Sequence, residues 1–139
     1  MQTKHYLTLS DAEFILNQAY QYAVEHHFNV SICIVDETGN LLAMKRMDGA
    51  SPMTANLSVE KAKCSAISRR PSGLFENLIK NGQMGFLTMD TFSGMLEGGE
   101  PILYKGQLVG AVGVSGVKSF QDAEIAQFAI EKFLTQVCE

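Results

Sequence analysis

The chain has no tryptophan, three prolines and three cysteines in 139 residues. Cys33, Cys64 and Cys138 are an odd number without CxxC spacing, which excludes a disulfide framework or a structural zinc site as the organising device. Reduced thiols fit that pattern better. Charge is sparse as well: 11 Lys and Arg stand against 15 Asp and Glu, a net −4 with no basic block. Neither nucleic acid nor an anionic membrane is therefore expected as the main partner. No apolar run reaches membrane length, and the opening MQTKHYLTLS has no secretory apolar core, so the chain as given reads as cytoplasmic. Histidine is limited to His5, His26 and His27, and none falls at a predictable place beside Ser115 or Cys64. A nucleophile–base pair is accordingly not supported.

What remains is apolar and patterned. With 46% apolar residues, positions 1–139 form one domain with enough chain for a core, undivided by repeat or linker. Leu9–Phe28 reads as a helix, capped by Ser10 with Glu13, stapled by Leu9 and Phe14, and carrying a stripe from Ala12 through Ala23 to His26. Val30–Val35 alternates as a strand, and Asp36-Glu37-Thr38-Gly39 turns it back into a second strand, Leu41–Arg46. After Met47-Asp48-Gly49-Ala50, Ser51-Pro52 opens a helix with a stripe of small residues, ended by Arg69-Arg70-Pro71. Ser72–Lys80 reads as a short helix capped by Ser72. Gly82–Glu100 is irregular, rich in both glycine and large apolar residues, and lines either a pocket or an oligomer contact. Pro101–Tyr104 and Gln107–Ser115 pair through Lys105-Gly106, and glycines inside the second strand mark close backbone approach. Ser119–Val137 closes the chain as a helix, with Ser119 and Asp122 in capping-box spacing. Hairpins between helices define an α+β fold on an antiparallel sheet.

Several residues carry chemistry by type. His26 and His27 suit iron ligation, or else simply finish a helix. Arg46 with Asp48 can hold a carboxylate by bidentate contact, or brace the turn as a salt bridge. Lys61, Arg69 and Arg70 form a cationic patch or a solvated helix face. Backbone amides of Gly98 and Gly99 can cradle an anion, although no P-loop lysine follows and the strand glycines are not a dinucleotide fingerprint. Glu97 and Glu100 have a carboxylate spacing, without a fixed helix to present it to a metal. Phe86, Met89 and Phe92 make either an apolar slot or a subunit contact.

The segments VDETGNLLAMKRMDGA, KAKCSAISRRP, GGEPILYKGQLVGAVGVSG and DAEIAQFAI, in that order over nearly the whole chain, resemble the GlcG/HbpS family of haem-binding or "haem-degrading" domains. The C-terminal part of PduO-type proteins belongs to the same family. The resemblance implies a profilin-like, three-layer α/β/α fold with about five antiparallel strands. It also implies homo-oligomers from dimer to octamer, and haem or a related tetrapyrrole as ligand, in the setting of glycolate, diol or glycerol metabolism. A histidine of the N-terminal helical region would meet iron. Two other functions stay open: an enzyme or accessory acting on a small hydroxy acid or diol at the Arg46–Asp48 corner and the Gly98-Gly99 loop, and a structural oligomerisation module without catalysis.

Overall fold

A computed structural model describes residues 1–138. The element order is α1 (Leu9–Glu25), β1 (Ser31–Asp36), β2 (Leu41–Arg46), α2 (Pro52–Ser68), α3 (Gly73–Lys80), a 3-10 turn (Met84–Thr88), β3 (Gly99–Tyr104), β4 (Gln107–Ser115) and α4 (Ser119–Val137). The strands form one antiparallel sheet in the order β2-β1-β4-β3. Among the described residues there are four strands and four α-helices, not the five strands expected. Gly82–Gly98, read as irregular from its sequence, holds a short 3-10 turn and otherwise irregular backbone.

The two faces of β1 meet different partners, as period-two alternation requires. Ile32 and Ile34 join a core with Ile15, Leu16 and Ala19 of α1 and Ile125, Ala126 and Phe133 of α4. Cys33 and Val35 join Ala62 and Ala66 of α2 with Ala111 of β4. Every residue from Val30 to Val35 is buried, since helices cover both sides of this central strand. The small-residue stripe of α2 lets that helix sink onto the sheet. A Cβ on Gly113 of β4 would overlap the Ser58 carbonyl and lie 2.6 Å from the Ala62 nitrogen. The close approach read from the strand glycines is thus made against a helix backbone.

The helix starts need correction. In α1 the cap is Thr8, whose Oγ1 accepts from the Asp11 N–H at 3.1 Å while Asp11 Oδ2 accepts from the Thr8 N–H at 2.9 Å. Ser10 and Glu13 have the right spacing but lie two residues inside the start. Ser72 does not cap α3 with its side chain. Its hydroxyl donates to the Leu96 carbonyl and accepts from the Gly99 N–H at 2.8 Å, tying the irregular segment to the start of α3. In α4 the cap position is Lys118, whose N–H donates to Gln121 Oε1, and Asp122 is occupied elsewhere.

Candidate functional site

The structure divides the candidate residues into separate places. His26, His27, Arg46 and Asp48 lie at the end of the sheet where β1 begins and β2 finishes, and all four are exposed. His26 follows the last turn of α1, with Nδ1 2.8 Å from the Tyr22 carbonyl oxygen. Its ring stacks on Tyr22 at 3.9 Å and on Phe28 at 5.8 Å between centroids. With Nδ1–H donating, Nε2 carries the lone pair, the tautomer a metal-bound imidazole needs. His26 is therefore not part of the buried stripe; the helix ends one residue before it, and the stripe with it. His27 takes the left-handed conformation at φ 59°.

Arg46 and Asp48 form no ion pair. The corner is closed by backbone instead: Met47 N–H donates to the Val30 carbonyl at 3.0 Å and Ala50 N–H to the Met47 carbonyl at 3.1 Å, with Gly49 at φ +87°. Asp36 does serve its turn as expected, its Oδ1 accepting from the N–H and hydroxyl of Thr38 and the N–H of Asn40. Burial pushes that carboxyl up, but these bonds outweigh it and hold it below its ordinary value.

On the other face of the sheet, α2, α3 and the irregular segment enclose the clefts. Phe86 and Phe92 both meet the buried Phe75 edge-on, at 5.5 and 5.2 Å between centroids. Phe92 and Met89 line a cavity of about 550 Å³ with Lys63, Ile67 and the Thr38–Asn40 turn. Phe86 and Met89 line a neighbouring one of about 490 Å³ with Met84. Met89 borders both. Arg69 caps α2 in the left-handed conformation, φ 62°, with its side chain exposed. A third cavity, about 530 Å³, is polar, with Arg70, Asn77, Glu97, Glu100 and Gln127 on its walls. Burial pushes the Glu100 carboxyl up against the hydrogen bond it accepts from Gln127 Nε2 at 3.1 Å. No group of three or more His, Cys, Asp or Glu among the described residues is arranged to hold a metal ion.

Lys61 and the glycine loop are where the expectations fail. Lys61 is 3% exposed and lies beneath the surface, not on a cationic patch. Its Nζ donates to the Val114 carbonyl at 3.0 Å and to Asp122 Oδ2 at 3.2 Å, joining α2, β4 and α4 at one point. Asp122 Oδ1 accepts from the Val117 N–H at 3.2 Å. Burial pushes the Asp122 carboxyl up to about 6 although the Lys61 ammonium pulls it down. Gly98 sits on this ammonium, a Cβ there falling 2.9 Å from Nζ, and the Gly99 N–H is engaged by Ser72. The two glycines thus seat a lysine and do not form an anion cradle of two free amides. Spacing alone could not show the Lys61–Asp122 pair, whose members are 61 positions apart.

Cys33 and Cys64 are buried free thiols, each pushed up to about 12 by burial, and neither is a nucleophile at neutral pH.

An antiparallel sheet with helix cores on both faces and surface clefts built by the segment after α3 defines a class of small α+β domains. The chain belongs to the family described as haem degrading protein HbpS-like, whose model matches residues 7–131. It is 40% identical to Protein GlcG of Escherichia coli strain K12 over 115 residues, 83% of this chain and 85% of that one. Among solved structures, Klebsiella pneumoniae protein ORFY is 29% identical with a TM-score of 0.89, covering 96% of this chain and 94% of that chain. A Streptomyces reticuli HbpS variant is 27% identical with a TM-score of 0.82, over 95% and 90%.

Proposed function

We propose that this protein binds a small apolar, carboxylate-bearing ligand, haem or a related tetrapyrrole, against the wall formed by Phe86, Met89 and Phe92. The observation that carries the reading is that wall: three half-buried apolar side chains, backed by Phe75, facing two adjoining cavities of about 550 and 490 Å³. The family description supports the choice of ligand. Beside Met89 and Phe92 the larger cavity is also lined by Thr38, Asn40, Asp90, Thr91 and Ser93, so the apolar fit is confined to one wall. The aromatic edges suit a flat macrocycle, and the Lys63 ammonium on the rim suits a propionate. Bound there, haem would supply an iron centre, while the chain's own residues exclude water and orient the ring.

The histidines do not share this wall within one chain. His26 adjoins the start of β1 on the α1 side of the sheet, and the wall adjoins the turn after its end on the α2 side. A six-residue strand separates them by about 17 Å. Haemin titration of the purified protein tests the reading. A Soret shift that weakens in Phe86→Ser/Phe92→Ser is expected, and no shift in the wild-type protein would overturn it.

A second reading, a site for a small hydroxy acid or diol in glycolate, diol or glycerol metabolism, rests on the polar cavity of Arg70, Glu97 and Glu100. Thermal stabilisation by such compounds, without any by haemin, would favour it. Exposed Leu74, Leu87 and Leu96 around the same region support self-association, in keeping with a cytoplasmic homo-oligomer. The helix cores on both sheet faces support the profilin-like, three-layer description.

A further inference from the structure

The irregular segment and α3 leave a further groove, and it is mostly apolar. α3 buries only Phe75; its Ile79 joins Leu57 of α2 with Leu87, Met95 and Leu96 in lining a cavity of about 480 Å³. Ser93 is the one uncharged polar side chain there, and Glu60, Glu76 and Lys80 supply the charges. Although they line the groove, Leu87 and Leu96 remain 57% and 43% exposed. Its walls are held in shape. Gly94 lies on the main chain at Glu60, where a Cβ would overlap it, and the Leu96 carbonyl accepts from the Ser72 hydroxyl. A surface ordered in advance loses less entropy when it is covered.

The charges are incompletely matched within one chain. Lys80 Nζ lies 3.5 Å from Glu76 Oε2, one carboxylate beside a group with three donors, and the lysine side chain is 70% exposed. Glu60 is in no ion pair among the described residues. The surface thus offers exposed leucines beside an exposed ammonium, and it can receive apolar side chains beside an unpaired carboxylate. What it offers is what it can receive, which is the condition for a two-fold contact between identical surfaces. An anionic lipid surface would meet Glu60 and Glu76 unfavourably. We infer that this groove is an isologous interface with a second copy of the chain: Leu87 and Leu96 of one protomer cover the apolar floor of its partner, and each Lys80 reaches the partner's Glu60. The inference rests on the self-association read above from the exposed leucines and names its face.

The test is light scattering after size exclusion, with circular dichroism to verify folding, on wild type and four variants: Leu87→Asp/Leu96→Asp, Lys80→Glu, Glu60→Lys, and Glu60→Lys/Lys80→Glu. Wild type should assemble. The leucine variant and each single charge reversal should run as smaller, folded species, with association weakened by about tenfold or more. The charge-swapped double variant should regain most of the assembly, a rescue that damage to the fold cannot produce. Wild-type assembly of unchanged mass in Leu87→Asp/Leu96→Asp overturns the assignment of this face and leaves self-association standing. Loss of assembly in both single reversals without rescue in the swap overturns the pairing of Lys80 with Glu60. A wild type that stays monomeric overturns both readings together. If that monomer binds an apolar dye and Leu87→Asp/Leu96→Asp does not, the face belongs to a different partner.

Discussion

Lys61 and Asp122 show how one side chain's surroundings reverse a reading made from its type. Lysine in a helix usually projects into water, but here its ammonium is 3.2 Å from a carboxylate with both side chains at most 4% exposed. Removing one partner leaves the other buried and uncompensated, so Lys61→Met should cost about 3–5 kcal/mol in denaturant unfolding. Lys61→Met/Asp122→Leu should recover much of that loss. The pH dependence has a definite sign. The Asp122 carboxyl titrates at about 6 in the folded chain against an ordinary 3.8, so the folded state holds its proton more tightly. Its contribution to stability is fully present below about pH 4 and is lost as pH rises through about 6. Asp122→Asn should remove that slope, and an unfolding series from pH 4 to 7 on both proteins checks it. No local signal in the sequence could mark this pair, because its geometry exists only after α2 and α4 have packed on β4.

At the scale of elements, the strands were legible and the helix starts less so. Alternation along Val30–Val35 assigned each side chain to the correct face, since a period of two leaves little choice once both faces are covered. Capping is decided by one turn of backbone, and in α1 both Thr8/Asp11 and Ser10/Glu13 offer the same i, i+3 spacing. Thr8 prevails with φ −83° and ψ 167°, the extended conformation a cap requires. Thr8→Ala should therefore cost about 1 kcal/mol and Ser10→Ala less than about 0.5 kcal/mol in thermal unfolding. Equal effects would contradict the assignment. The irregular segment after α3 was recognisable by its glycines and large apolar residues. Its division between wall and anchoring points was not, because Gly94, Gly98 and Gly99 are fixed by what they touch on α2.

For the whole molecule, the sheet sorts the candidate groups. His26 and His27 lie at one end of it, where β1 begins, and the apolar wall adjoins the turn at the other end of β1, on the α2 side. Residue types were enough to nominate His26, Arg46, Phe86 and Met89, but which of them are neighbours is a property of topology. The contacts of α2 carry a further consequence. The backbones of Gly94, Gly99 and Gly113 all press directly on the main chain of this helix between Ser58 and Ala62, with no side chain between to yield. Such a stretch cannot breathe alone, because opening it requires the strand and the segment above it to lift together. Amide protons of the middle turns of α2 should therefore exchange with solvent deuterium only through near-global unfolding, at the slowest rates in the molecule. Those of the exposed turn Met84–Thr88, where a Cβ on Gly85 would meet only open space, should exchange orders of magnitude sooner.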